Sequence, residues 1–104
     1  MARNLTHCII DKAMSSTRDE YMVWLKLESI KDYLPFSGSL CVMQARIFGL
    51  SYPDFLRYVR DTYGARIGGK QHRYPALYFP NEAAAIQYAN ILNKRYGEIV
   101  KCLT

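Results

Sequence analysis

Basic side chains between residues 52 and 73 are the ones whose types and spacing could bind another molecule. The window contains five Lys or Arg residues and two Asp residues, so it carries +3 of the chain's net charge of +5. Lysine and arginine attract phosphates, and the planar fork of arginine also matches the acceptor pair of guanine. This concentration of charge favours nucleic acid as a partner, although +5 could also serve solubility alone. The candidate nucleic-acid-binding residues are Tyr52, Asp54, Arg57, Arg60, Arg66, Lys70, His72 and Arg73.

Patterns typical of catalytic, metal or cofactor sites are absent from the sequence. The three cysteines are far apart and form no CxxC pair, which argues against a zinc site or a disulfide framework. Gly68-Gly69-Lys70 is not a phosphate-binding loop, because Gln71 stands where Ser or Thr is required. No serine lies in a GxSxG frame. We therefore expect a protein that is not an enzyme and that has no catalytic residues, metal or cofactor.

Two helices joined by a short turn must position the first of these basic residues. The hydrophobic spacing predicts helices at about 40–48 and 52–63. Between them Gly49 permits a left-handed turn, Ser51 can cap the second helix, and Gly64 can end it. The supporting residues are Ala45 at the helix crossing, Leu50 beneath the turn, Pro53 in the first turn, and Phe55, Val59 and Tyr63 as the buried stripe.

A hairpin is predicted directly after the second helix. Two short apolar runs within residues 65–79 flank a Gly-Gly turn region, a pattern typical of paired strands. Residues 41–79 thus resemble the helix-turn-helix and winged-helix class of DNA-binding domains. The resemblance implies that the second helix lies in the major groove of double-stranded DNA, with Tyr52, Asp54 and Arg57 near the base edges. It also implies contacts with the phosphate backbone or the adjacent minor groove by Arg60, Arg66, Lys70, His72 and Arg73.

The remaining elements are predicted from local patterns. Residues 1–16 are weakly patterned and are expected to form a loosely ordered arm with a short strand at 7–10. Residues 18–33 are predicted as a helix with Thr17 and Glu20 as its capping box, and the competing interpretation is a strand at 21–27, where apolar residues alternate. A final helix is expected to begin after Asn81 and to end at Gly97, followed by a tail that forms a strand or packs back.

The whole chain, residues 1–104, is expected to be a single α+β domain that is mainly helical. Half of its residues are hydrophobic, yet no stretch is long enough to span a membrane, so a cytoplasmic location is expected. We expect a regulator or architectural factor that binds DNA, and a homodimer fits this role because one short helix contacts few bases. The alternative is a protein-binding module or inhibitor that docks an acidic partner or a nucleic-acid enzyme. RNA binding by the basic hairpin is a third hypothesis.

Overall fold

The computed structural model describes residues 3–13, 19–25, 40–68 and 76–103, which contain two small antiparallel sheets and three helices. The first sheet has the strand order β1 (Arg3–Asn4), β2 (Cys8–Lys12) and β3 (Tyr21–Leu25). The second sheet pairs β4 (Arg66–Gly68) with β5 (Ala76–Tyr78). The helices are α1 (Leu40–Ile47), α2 (Tyr52–Tyr63) and α3 (Glu82–Leu103). The expected α+β class is confirmed at this level.

Strands β2 and β3 form because their apolar residues alternate and bury one face. Cys8 pairs with Leu25 and Ile10 pairs with Val23, and all four side chains are buried. Side chains that alternate in this way can bury one face of a sheet against helices. The core therefore lies between this face and the helices, with α3 packed against both strands.

The helix predicted for residues 18–33 is wrong over residues 21–25, where the structure has β3. The competing prediction of a strand is confirmed for that part of the chain. The physical reason is that β2 offers a partner residue to each of the five residues of β3, which a local capping pattern cannot outweigh. The predicted cap at Thr17 and residues 26–33 lie outside the described part of the chain.

The N-terminal segment was expected to be a loosely ordered arm, but residues 3–12 contribute two strands. Strand β2 is the middle strand of its sheet, which confirms most of the strand predicted at 7–10. The turn between β1 and β2 also docks on α3. There the backbone N–H of His7 donates to Asn93 Oδ1 at 2.7 Å, and the His7 ring meets Tyr96 edge to face.

Two contacts join the sheets at their neighbouring edges. Tyr21 and Phe79 form an isolated antiparallel bridge, with N···O distances of 2.9 and 2.7 Å. Beside this bridge, Glu20 accepts two hydrogen bonds from the Arg66 guanidinium at 2.7 and 2.8 Å. The antiparallel pairing of β4 with β5 confirms the strands of the predicted hairpin, whereas residues 69–75 between them lie outside the described ranges.

The turn between α1 and α2 differs from the prediction at one residue. Gly49 has a φ of 69°, as expected of the left-handed position. Leu50, predicted to pack beneath the turn, is 37% exposed. Phe48 makes the packing contacts instead, with its ring centroid 5.7 Å from that of Phe55 and 5.8 Å from that of Tyr88. The larger aromatic side chain buries more apolar surface there than leucine would.

Helix α3 begins as predicted but does not end at Gly97. Asn81 caps it, because its Oδ1 accepts the backbone N–H of Ala84 at 2.8 Å. The helix continues for six residues beyond Gly97, to Leu103. The predicted stop fails because Gly97 has no positive φ and because Ile99 and Val100 pack against the core. This apolar contact offsets the modest helix penalty of a glycine, about 1 kcal/mol.

Candidate nucleic-acid interface

Helix α2 positions most of the described candidate residues, and its local sequence explains where it begins and ends. Ser51 Oγ accepts the backbone N–H of Asp54 at 3.3 Å, and Pro53 lies in the first turn, where its missing N–H costs little. At the other end Gly64 has a φ of 71° and closes the helix with backbone hydrogen bonds. The predicted boundaries and caps of this helix are confirmed.

One face of α2 is buried and the opposite face is exposed. Phe55, Val59 and Tyr63 are buried, as predicted, and the rings of Phe55 and Tyr63 contact Tyr88. This burial leaves the charged residues of the helix on the solvent side. Those exposed charged residues are Asp54, Arg57, Arg60 and Asp61.

Each arginine of α2 is paired with a carboxylate of the same helix. Arg57 Nη1 lies 3.2 Å from Asp54 Oδ1, and Arg60 Nε lies 3.0 Å from Asp61 Oδ1. The two basic and two acidic charges of α2 therefore cancel. The positive charge that the sequence predicts for the second helix and the hairpin is not carried by the helix itself.

Arg66 on β4 is held by two side chains rather than standing free. Its guanidinium forms the two hydrogen bonds with Glu20 and lies 4.8 Å from the ring centroid of Tyr78. The Glu20 side chain is only 6% exposed, whereas that of Arg66 is 47% exposed. Arginine carries a permanent charge in proteins, and the hydrogen bonds with Glu20 raise the pKa of Arg66 further. Arg66 has a structural role beyond the one predicted for it.

The structure describes Tyr52, at one end of the predicted interface, but it does not describe the hairpin residues at the other end. Tyr52 is half-buried against the core, and burial raises the pKa of its hydroxyl, with Cys41 adding to the rise. Its ring is thus only partly available to a partner. Lys70, His72 and Arg73 lie outside the described residues, so their predicted roles stay predictions.

The structure brings Arg57, Arg60 and Arg66 together along one cleft. The cleft lies between α2 and the β4–β5 pair and has a volume of about 390 Å³. Analysis of the sequence missed this cleft, and it missed Glu20 as the partner of Arg66. Glu20 and Arg66 are 46 positions apart, and no local pattern links residues at that separation. The apolar residues that line the cleft are Pro53, Leu56, Val59, Ala65, Ile67 and Leu77.

In the four ranges that the structure covers, no three His, Cys, Asp or Glu residues come close enough together to hold a metal ion. Over the same ranges, no helix combines the length and the apolar character needed to cross a bilayer.

Comparisons with protein-family models, with curated proteins and with solved structures found no match to this chain.

Proposed function

We propose that this chain is a small DNA-binding protein that reads double-stranded DNA with α2 and contacts the adjacent backbone with the β4–β5 hairpin. The observation that supports the proposal is the exposed polar face of α2, a capped helix that follows α1 after a left-handed turn at Gly49. Such a helix, open to solvent along one side, has the form required to enter a major groove. A regulatory or architectural role and a homodimeric state belong to the same proposal.

Arg57 is the candidate for a base contact. Its side chain is 63% exposed, and its ion pair with Asp54 lies at the surface. Surface ion pairs of this kind contribute only about 0–1 kcal/mol, so a nucleic-acid group can replace Asp54 at little cost. The guanidinium would then donate two hydrogen bonds to guanine O6 and N7. Tyr52 and Asp54 would lie near neighbouring base edges.

The remaining candidates would hold the phosphate backbone. Arg60 can exchange Asp61 for a phosphate in the same way, because both side chains are well exposed. Arg66 would contribute a fixed charge, since Glu20 and Tyr78 hold its position. The hairpin residues proposed for backbone contacts are Lys70, His72 and Arg73.

Fluorescence anisotropy of a labelled mixed-sequence duplex, titrated at several salt concentrations, tests the proposal. Binding should weaken steeply with salt, because each phosphate contact releases a counterion. Once a preferred site has been selected, Arg57→Ala should lower the discrimination at one base position by about 1–3 kcal/mol. Lys94→Ala on the outer side of α3 is the charge-matched control and should leave that discrimination unchanged.

Two outcomes would contradict this proposal. No duplex binding at low salt would exclude it, because the phosphate attraction is strongest there. Equal loss of affinity for all sequences in Arg57→Ala would show that Arg57 contacts phosphate and not a base.

A protein-binding module is the second candidate function. The observation that favours it is the charge balance of α2, where acidic and basic side chains are paired along the exposed face. A face that carries paired charges of both signs complements another protein surface better than it complements a uniform polyanion such as DNA. In protein–protein contacts, such complementary charges set specificity. Retention of the fold without duplex binding at low salt would favour this candidate over the first.

A further inference from the structure

The cleft between α2 and the β4–β5 pair combines an apolar floor with a basic rim. Its volume of 390 Å³ lies within the range of about 300–1,000 Å³ that small-molecule sites occupy. Val59 and Leu77 form the buried part of the floor, and Leu56 and Ile67 are half-buried beside them. Apolar side chains that remain partly in contact with water gain from an apolar ligand that covers them.

All charged side chains that line the cleft, among the residues that the structure describes, are arginines. They are Arg57, Arg60 and Arg66. The carboxylates that pair with these arginines are not part of the lining. The cleft is therefore lined by basic side chains, whereas the carboxylates paired with them are outside its lining.

The three arginines differ in their freedom to bind a ligand. Arg66 is fixed between Glu20 and Tyr78. Arg57 and Arg60 are held only by exposed ion pairs, with side chains 63% and 67% exposed. An anion that reaches both Arg57 and Arg60 can therefore replace Asp54 and Asp61 at little cost in free energy. Its charge-assisted hydrogen bonds would be stronger than the exposed ion pairs they replace, because the cleft is partly desolvated.

We propose that this cleft binds a small amphipathic carboxylate, with its alkyl chain on Leu56, Val59, Ile67 and Leu77 and its carboxylate on Arg57 and Arg60. Charge complementarity determines the head group and the apolar floor determines the tail. A purely polar anion would leave the floor in water, and a neutral alkyl ligand would leave the arginines without a new partner. The proposal goes beyond DNA binding and does not depend on it.

Octanoate is the probe for this site, and methyl-selective NMR of the full chain is the measurement. Saturable shift changes are expected at the methyl groups of Leu56, Val59, Ile67 and Leu77. Leu50 and Ile91 are exposed and are not part of the cleft lining, so their methyl groups should not respond. Acetate, which has the charge without the chain, should produce no saturable change. Octanol, which has the chain without the charge, should bind at least tenfold more weakly.

Matched variants test the arginine contacts. Arg57→Gln and Arg60→Gln should each weaken octanoate binding by about tenfold, the loss expected of one charge-assisted hydrogen bond. Arg46→Gln, an exposed arginine on α1 outside the cleft, should bind octanoate like the unchanged protein. All three positions are exposed, so the variants should fold like the unchanged protein. The amide spectrum verifies this.

Three results would overturn the proposal. They are equal affinity for octanol and octanoate, equal responses at Leu50 or Ile91, and unchanged octanoate affinity in both cleft variants. No nucleic acid is present in this experiment, so failure of the duplex titration would leave its outcome unaffected.

Discussion

Burial changes the chemistry of individual residues in the core, and Cys41 is the clearest case. Its side chain is 1% exposed, and burial raises the pKa of the thiol from 9.0 to about 11. Tyr88 lies nearby, is completely buried, and donates its hydroxyl proton to Gln44 Oε1. Burial, followed by the neighbouring Cys41 and Cys8 thiols, raises the pKa of Tyr88 as well. The folded protein therefore keeps these protons at a pH where the unfolded chain releases them.

The free energy of unfolding should fall as the pH rises from 9 to about 11. Over this interval the Cys41 thiol ionises in the unfolded chain but stays protonated in the folded one, so the folded state binds more protons. The difference in pKa corresponds to about 3 kcal/mol of stability that is present below pH 9 and lost above pH 11. Urea unfolding at a series of pH values measures this loss.

The comparison of two cysteine variants isolates this contribution. Cys41→Ala should lose less stability between neutral and alkaline pH than Cys102→Ala, because Cys102 is exposed. Burial is the first cause of the raised pKa of Tyr52 and Tyr88 and is common to both variants, so the main tyrosine contribution cancels in the comparison. Identical alkaline losses in the two variants would contradict the assignment of this effect to Cys41.

At the scale of secondary-structure elements, neighbouring segments decide how far a helix extends. A glycine near a helix end usually marks the stop, and Gly64 acts in this way with its φ of 71°. Gly97 was predicted to act in the same way, but it lies inside α3, against the ring of His7. Contacts from another part of the chain therefore determine which glycine ends a helix.

Gly97→Ala should stabilise the protein by about 0.5–1 kcal/mol, because alanine loses less conformational freedom in a helix than glycine does. The added Cβ would lie 3.5 Å from His7 Nε2, an ordinary van der Waals distance. Thermal or urea unfolding measures the change.

Gly64→Ala provides the contrast to this substitution. It should destabilise the protein by about 1–2 kcal/mol, because a side chain is strained at a positive φ. Its Cβ would also lie 3.3 Å from Pro80 Cγ. A destabilised Gly97→Ala variant would mean that the β1–β2 turn cannot accommodate the added methyl group.

At the scale of the whole molecule, the contacts between Tyr21 and Phe79 and between Glu20 and Arg66 join segments that are distant in sequence. They attach the β4–β5 pair, and with it one wall of the cleft, to the sheet formed by β1, β2 and β3. Because Glu20 is buried and Arg66 is half-exposed, the two ends of this ion pair should respond differently to substitution.

Arg66→Met should destabilise the protein by about 1–3 kcal/mol more than Glu20→Gln does at neutral pH. The first substitution leaves a buried carboxylate without its arginine. The second removes the buried charge and leaves Arg66 where water can solvate it. Urea unfolding of both variants, with Lys94→Met as a surface control, measures the difference. A larger loss in Glu20→Gln would show that the buried carboxylate is not the costly partner.

Much of α2 could be predicted from the sequence alone, because its signals act within a few residues. Ser51 caps the helix because its side chain accepts the backbone N–H of the residue three positions later. Pro53 suits the first turn, and Gly64 supplies the left-handed stop. The stripe of Phe55, Val59 and Tyr63 is a local pattern of the same kind. The boundaries of α2 follow from interactions that any chain with this segment can form.

The tertiary structure decided the features that depend on distant partners. Residues 21–25 form a strand because β2 pairs with them, and Phe48 rather than Leu50 packs inward, against Tyr88 on α3. The candidate arginines could be named from the sequence, but the partner of Arg66 and the cleft between α2 and β4–β5 could not. Local patterns describe one turn or one strand at a time, whereas burial and charge pairing depend on which segments meet in the folded chain.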